Sequence, residues 1–251
     1  MIHFHPDRLV GEVLLLEHMV TDGLYRSQFE TGTSNGGLTA LPGGDRWQWE
    51  HRIFGGAYDH EPAMHRPKYG SLNYQHRPSG GSVRFGSSHL VLAAHALERT
   101  TFCFPDSSTN PSHFGTCEHM PLIDMAERNT GLDVLDDHIE AHIHGPLQLS
   151  RDIEALVLDP AFKETDIEEA ASKLPFPYRW HHGFRVHTLE QHSAFRGEHV
   201  VQAARDIAEE EWLDARIIGA AARTHTHPAQ TIKQVWHYTA RFGHRWDRAI
   251  V

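Results

Sequence analysis

The sequence of 251 residues has only two cysteines, Cys103 and Cys117, and no CxxC pair. That excludes a disulfide framework and a Cys-based zinc ribbon, and it points to a reducing compartment. No apolar run approaches the ~18 uncharged residues that a membrane helix needs, and "MIHFHPDRLV" lacks the basic start and apolar centre of a secretory signal. The cytoplasm is therefore the expected location, with export by a route that needs no cleavable signal left open. Basic residues are also in deficit. A formal charge of -10 repels phosphate backbones and argues against general nucleic-acid binding. The local exception is "KQVWHYTARFGHRWDR", with Lys233, Arg241, Arg245 and Arg248 against Asp247, which reads either as a solvated basic helix face or as a face for an acidic partner.

What the chain has in excess is histidine, 23 in all, which makes its charge sensitive to pH near 6.5. The patterning predicts a buried helix over Leu9–Val20, a short strand through Leu24–Phe29, and a glycine-rich loop from Thr31 to Gly44. Asp45 then caps the helix "RWQWEHRIF", which Gly55 and Gly56 end. Residues 57–82 read as irregular, Val83–Leu92 and Thr100–Phe104 as strands, and Asp152–Asp159 as another. "TDIEEAASKL" opens with Thr165 and Glu168 at capping-box spacing, and 196–222 and 228–241 carry helical periodicity. The expectation is an α+β fold: a core over 1–160 and a mainly helical portion over 161–251 packed on it, or one continuous domain.

Three constellations carry candidate chemistry. Arg26 stands where a strand ends, before "TGTSNGG". A guanidinium there can hold a phosphate or carboxylate, and Ser27, Thr33, Ser34, Asn35 and Gly36 offer hydroxyls and open backbone N–H groups; a surface pair with Asp22 or Glu30 gives the same letters. Ser87 and Ser88 in "RFGSSHL" could orient a ligand or a carboxylate, without the GxSxG elbow of a hydrolase nucleophile. "DHIEAHIHG" alternates, so as a strand it places His138, Glu140, His142 and His144 on one face and Ile139, Ala141 and Ile143 on the other. The polar face is expected to meet solvent or a wet cleft. It reads as a metal site, with His138 and His142 or His142 and His144 reaching one zinc ion and Glu140 as base or supporting group. Alternatively, Glu140 is a carboxylate that stabilises an oxocarbenium-like transition state. Further histidines such as His225 and His227 are available, but no third ligand is specified.

Two resemblances follow from these stretches. "YRSQFETGTSNGGLTALPGGD", "FGGAYDHE", "RPKYGSLNY", "RFGSSHL", "EAHIHGPLQLSRDIEALVLDP" and "IKQVWHYTARFG" resemble a bacterial family of unknown function, domain of unknown function thirty-six-twenty-six, over nearly the whole chain. "LYR", "FGSS" and "HIEAHIHG", separated by about 60 and then about 50 residues, resemble in order the three motifs of the arginine-serine-glutamate class of ADP-ribosyltransferases. That second resemblance implies mixed and antiparallel central sheets of the ADP-ribosyltransferase type. It also implies NAD as substrate, with Arg26 on its phosphates, Ser87 supporting the nicotinamide ribose and Glu140 at its 2′-hydroxyl, and an unidentified protein or small-molecule acceptor. Tyr69 and Asn73 of "KYGSLN" would close over the nicotinamide or present the acceptor, and Ser88 or Tyr69 could replace Ser87 in the middle motif. His138 occupies the position where members that modify arginine usually carry a second glutamate, which sets this chain apart from them in acceptor. A non-catalytic binding module is the remaining reading.

Overall fold

A computed structural model describes residues 1–32, 39–187, 192 and 195–244. Two four-stranded sheets organise a mixed α+β architecture. The first has the order Ile2–Phe4, Ser88–Leu92, Ile153–Leu158, Tyr178–Trp180, antiparallel except for the last pair. The second has the order Lys68–Leu72, Ile139–Ile143, Thr100–Phe104, His113–Thr116 and is antiparallel throughout. The sheets meet at an edge, where the Ser71 amide donates to the Met1 carbonyl at 2.9 Å. Gly70 makes that approach possible, because a Cβ there would lie 2.2 Å from the same carbonyl oxygen. One buried apolar cluster runs from Ile2 to Ala240 and joins the sheets to helices Glu198–Ile207, Ala215–Arg223 and Ala229–Phe242. Among the described residues no helix is long and apolar enough to cross a membrane.

Local departures from the sequence expectations have local causes. Leu9–Val20 is not one helix: Gly11, at φ +65°, turns a hairpin between Leu9–Val10 and Val13–Leu14, and the helix spans Leu15–Asp22. The strand at Leu24 stops at Tyr25, because Ser27 and Glu30 form a reciprocal capping box for the short helix Gln28–Thr31. The capping box expected at Thr165 does not form. The Thr165 hydroxyl donates to the Phe162 carbonyl instead, and Glu168 accepts from the Glu164 amide. The stretch 57–82 contains the strand Lys68–Leu72, whose glycine disguises it in the sequence. Val83–Phe85 is a 3-10 turn before the strand Ser88–Leu92, and the strand Trp212–Asp214 divides the helical stretch 196–222.

Several histidines lie in the interior, and burial lowers the pKa of His3, His5 and His237 to about 3. An unfolded chain protonates these rings at about 6.5, so their neutral form favours folding above pH 6.5 and that stability is lost as pH falls towards 3. Asp159, which burial raises to about 7, acts in the opposite sense: its contribution is present at low pH and lost as pH rises through about 7. His89, His144 and His181 are lowered in the same way, and among the described residues these six rings outnumber the four carboxylates that burial raises, Asp7, Glu50, Asp137 and Asp159, which decides the direction. The denaturant midpoint is expected to fall continuously from pH 6.5 to 4, read by urea unfolding at a series of pH values; a flat profile would contradict this account.

Candidate functional site

The alternating strand forms as expected, at Ile139–Ile143 in the middle of the second sheet, but its polar face is covered. His138, Glu140 and His142 are all buried, at 2%, 5% and 0% exposure. The expectation of a wet or solvent-facing surface is corrected, and the reason is a chain segment distant in sequence. Helix Asp45–Ile53 and the turn after it bring Trp49, Phe54 and Tyr58 over the histidines. Trp49 lies 5.1 Å from the His142 ring, Phe54 packs edge-on to His142 and His144, and Tyr58 stacks on His144. The aromatic rings bury the imidazoles while leaving their nitrogens to polar side chains on the same face of the sheet and on the covering turn.

Those partners form a chain of hydrogen bonds with one consistent direction. Tyr58 Oη contacts His144 Nδ1 at 2.5 Å, and His144 Nε2 contacts Thr101 Oγ1 at 2.9 Å. Thr101 Oγ1 contacts His142 Nδ1 at 3.2 Å, and His142 Nε2 contacts Glu140 Oε1 at 3.0 Å. The tyrosine donates to His144, His144 to Thr101, Thr101 to His142, and His142 to the carboxylate; this tautomer assignment lets every nitrogen be satisfied. From the other side, Ser107 Oγ donates to Glu140 Oε2 at 2.9 Å and accepts from Arg46 Nη1 at 3.0 Å. Burial by itself would raise the Glu140 pKa. The bond from His142, the Arg46 charge and the bond from Ser107 outweigh it and hold the carboxyl at about 2. Glu140 is thus a buried carboxylate held in its ionised form at neutral pH.

The neighbouring carboxylate behaves differently. Glu50, on the covering helix, accepts from Tyr69 at 2.7 Å and from Arg66 at 2.6 Å, yet burial dominates and raises its pKa. Arg46 lies 3.9 Å from the Tyr69 ring centroid, completing a layer of two guanidiniums, two carboxylates and a phenol beneath the helix.

Asp106 completes the site at its other end. It caps the turn Ser107–Thr109 and receives the Ser108 amide and hydroxyl on Oδ1, which leaves Oδ2 at 3.8 Å from His138 Nε2. Both ring nitrogens of His138 are buried without a hydrogen-bond partner. One ligating atom each from Asp106, His138 and Glu140 lies within 4.8 Å of the others, as do those of Cys103, Glu140 and His142. In the second trio the members contact each other directly, with Cys103 Sγ 3.7 Å from His142 Nε2, and burial drives the thiol pKa far up. Only the first trio contains a ring with both nitrogens unsatisfied.

The sequence-predicted residues divide accordingly. Glu140, His142, His144 and Tyr69 belong to the buried network, and His138 adjoins it. Arg26 is half-exposed and pairs with Asp22 at 2.7 Å; the guanidinium near Glu140 is that of Arg46. Ser27 is committed to its capping box and to the Ala63 carbonyl. Ser87 is buried with its hydroxyl unpartnered and its carbonyl accepting from His181, while Ser88 accepts the Asp159 amide. Asn73 clips the turn to Arg77. Thr33, Ser34, Asn35 and Gly36 lie outside the described residues, as do Arg245 and Arg248. His227 lies 3.5 Å from Asp206. Sequence reasoning missed Arg46, Asp106 and Ser107. The available signal was an Asp-Ser pair one proline beyond a strand, which acquires meaning only once Cys103 is known to sit opposite Glu140.

Glu50→Ala would leave Arg66 uncompensated in the interior and Tyr69 without its acceptor, so a loss of about 3–5 kcal/mol is expected in chemical denaturation. Arg26→Ala is expected to change stability by less than about 1 kcal/mol. Equal effects would refute the division between the buried layer and the surface pair.

No curated protein matches this chain. A family model does, over residues 1–128 and 119–242, with the description "Protein of unknown function (DUF3626)". These two matches cover most of the sequence, and the chain belongs to that family of proteins of unknown function.

Proposed function

We propose that the chain is a metal-dependent hydrolase in which Asp106, His138 and Glu140 hold one divalent ion. The observation that carries this reading is His138: a buried imidazole with neither nitrogen satisfied, facing an open carboxylate oxygen at 3.8 Å, is costly unless something occupies the space between them. Two carboxylates and an imidazole suit zinc, manganese or iron(II) better than a thiolate-seeking ion. Ligand atoms around a tetrahedral ion with bonds of about 2.1 Å lie roughly 3.4 Å apart, so separations of up to 4.8 Å need to shorten by about 1.4 Å at most. Such an ion supplies a bound water acidified towards neutral pH. The protein's own groups supply the rest. Glu140 stays ionised and contributes fixed negative charge, and the chain from Tyr58 through His142 fixes its orientation. Arg46, whose Nε has no partner, is the cation available for negative charge that develops during reaction.

A second reading keeps the ADP-ribosyltransferase expectation, with NAD bound and ADP-ribose transferred from it. Strand Leu24–Tyr25 pairs with Leu147–Gln148, which makes the "LYR" segment a hydrogen-bonded neighbour of the segment that follows Glu140. Two sheets meeting at an edge, with an ionised glutamate on a central strand, also suit it. Under this reading Arg26 binds the NAD phosphates and Glu140 stabilises the departing nicotinamide's ribosyl cation.

One set of measurements separates the two. Elemental analysis of the purified protein is expected to find close to one divalent transition metal per chain, reduced at least tenfold in His138→Ala and Asp106→Asn and retained in Arg26→Ala. Metal-free protein after loading with zinc, manganese and iron(II) would overturn the hydrolase. Calorimetric binding of NAD that Arg26→Ala abolishes would establish the transferase in its place.

A further inference from the structure

The basic helix Ala229–Phe242 is not a uniformly solvated face. Arg241 is tied to Asp133 at 2.9 Å, whereas Lys233 has neither a hydrogen bond nor an ion pair among the described residues. One turn further, His237 is buried at 3% exposure with both ring nitrogens unpartnered. Between these two residues, Trp236 donates to the Val83 carbonyl at 2.9 Å, fixing the helix against the turn that carries Arg84. The charges acting on His237 are those of Arg84, Arg196 and Lys233, and then His5; Arg84, Arg8 and Arg196 act on Lys233. Arg84 and Arg196 both pair with one carboxylate, that of Asp136, and the Nε of each is buried without a partner.

Three cations from three separate segments thus act on an unsatisfied buried imidazole, and among the described residues they share a single counter-charge, Asp136. Among the described residues two of these positive charges are unmatched, along with donors on Arg84, Arg196, Lys233 and His237. Mutual repulsion in a partly desolvated setting disfavours this arrangement unless an anion with several acceptor oxygens joins it. A carboxylate brings one charge and two oxygens, and a phosphoryl dianion brings two charges and three oxygens. We propose that Arg84, Arg196, Lys233 and His237 form a binding site for a phosphoryl group of a small ligand. The site adjoins the candidate metal trio, since the Phe85 ring packs edge-on to His138 at 5.4 Å and Asp136 precedes His138 by two residues. It does not require that trio to hold an ion.

The test is calorimetric titration of the full chain at fixed ionic strength with inorganic phosphate, inorganic pyrophosphate and ADP, with parallel melting curves. At least one of the three is expected to bind and raise the melting temperature. Lys233→Gln removes a side chain that holds no partner among the described residues, so it should fold normally and weaken binding at least tenfold, and His237→Asn should act in the same direction. Asp106→Asn should leave phosphoryl binding intact, which separates this proposal from the metal reading. Tighter binding of ADP than of pyrophosphate would assign a nucleotide, and the reverse order a simpler phosphorylated compound. Absence of binding by all three at millimolar concentration, or equal binding by folded Lys233→Gln, would overturn the site.

Discussion

A single buried charge organises the second sheet. An ionised carboxylate taken out of water costs several kcal/mol unless it is surrounded by donors, and Glu140 sits on the central strand with almost no exposure. The consequences can be followed outward. His142 must present a proton, so Thr101 must donate to its other nitrogen, His144 to Thr101, and Tyr58 to His144. Ser107 must also donate, which leaves its oxygen to accept from Arg46. Arg46 in turn is buried, and its stack on Tyr69 and proximity to Glu50 and Glu140 keep it charged. The helix Asp45–Ile53 is therefore held over the sheet by polar groups as much as by Trp49.

This arrangement explains why the alternation of "HIEAHIH" was legible and its burial was not. The period of two fixes which side chains share a face, and the register of Ile139–Ile143 with Lys68–Leu72 and Thr100–Phe104 preserves it. Whether that face meets water depends on what is laid across it, and the covering residues lie almost ninety positions earlier in the chain. Arg46 and Trp49 look like ordinary helix residues until they are placed above Glu140. Asp106 and Ser107 look like a turn, which they also are.

The Arg26 segment shows the converse. Its glycines and hydroxyls suggest a ligand loop, yet the four letters "SQFE" spell a capping box, and local hydrogen bonding claims Ser27 and Glu30. The capping-box letters at Thr165 lost to another nearby acceptor, the Phe162 carbonyl. Short polar motifs of this kind specify a donor and an acceptor but not which of several close partners will take them. The hydrophobic periodicities of the C-terminal helices had no such competition and were readable, apart from the strand Trp212–Asp214 that interrupts them.

Thr101 carries one hydroxyl proton and stands between two imidazoles. Its oxygen donates to His142 while accepting from His144, and it cannot donate to both. The tautomers of the two rings are therefore not independent variables: the ionised Glu140 fixes a proton on His142 Nε2, and Thr101 carries that choice on to His144. The reverse order would turn a bare His142 Nε2 lone pair toward the Glu140 carboxylate, so the polarity of the line is set from the Glu140 end. The network thus behaves as a polarised line across the sheet, in which the identity of one small side chain sets the correlation between sites on either side of it.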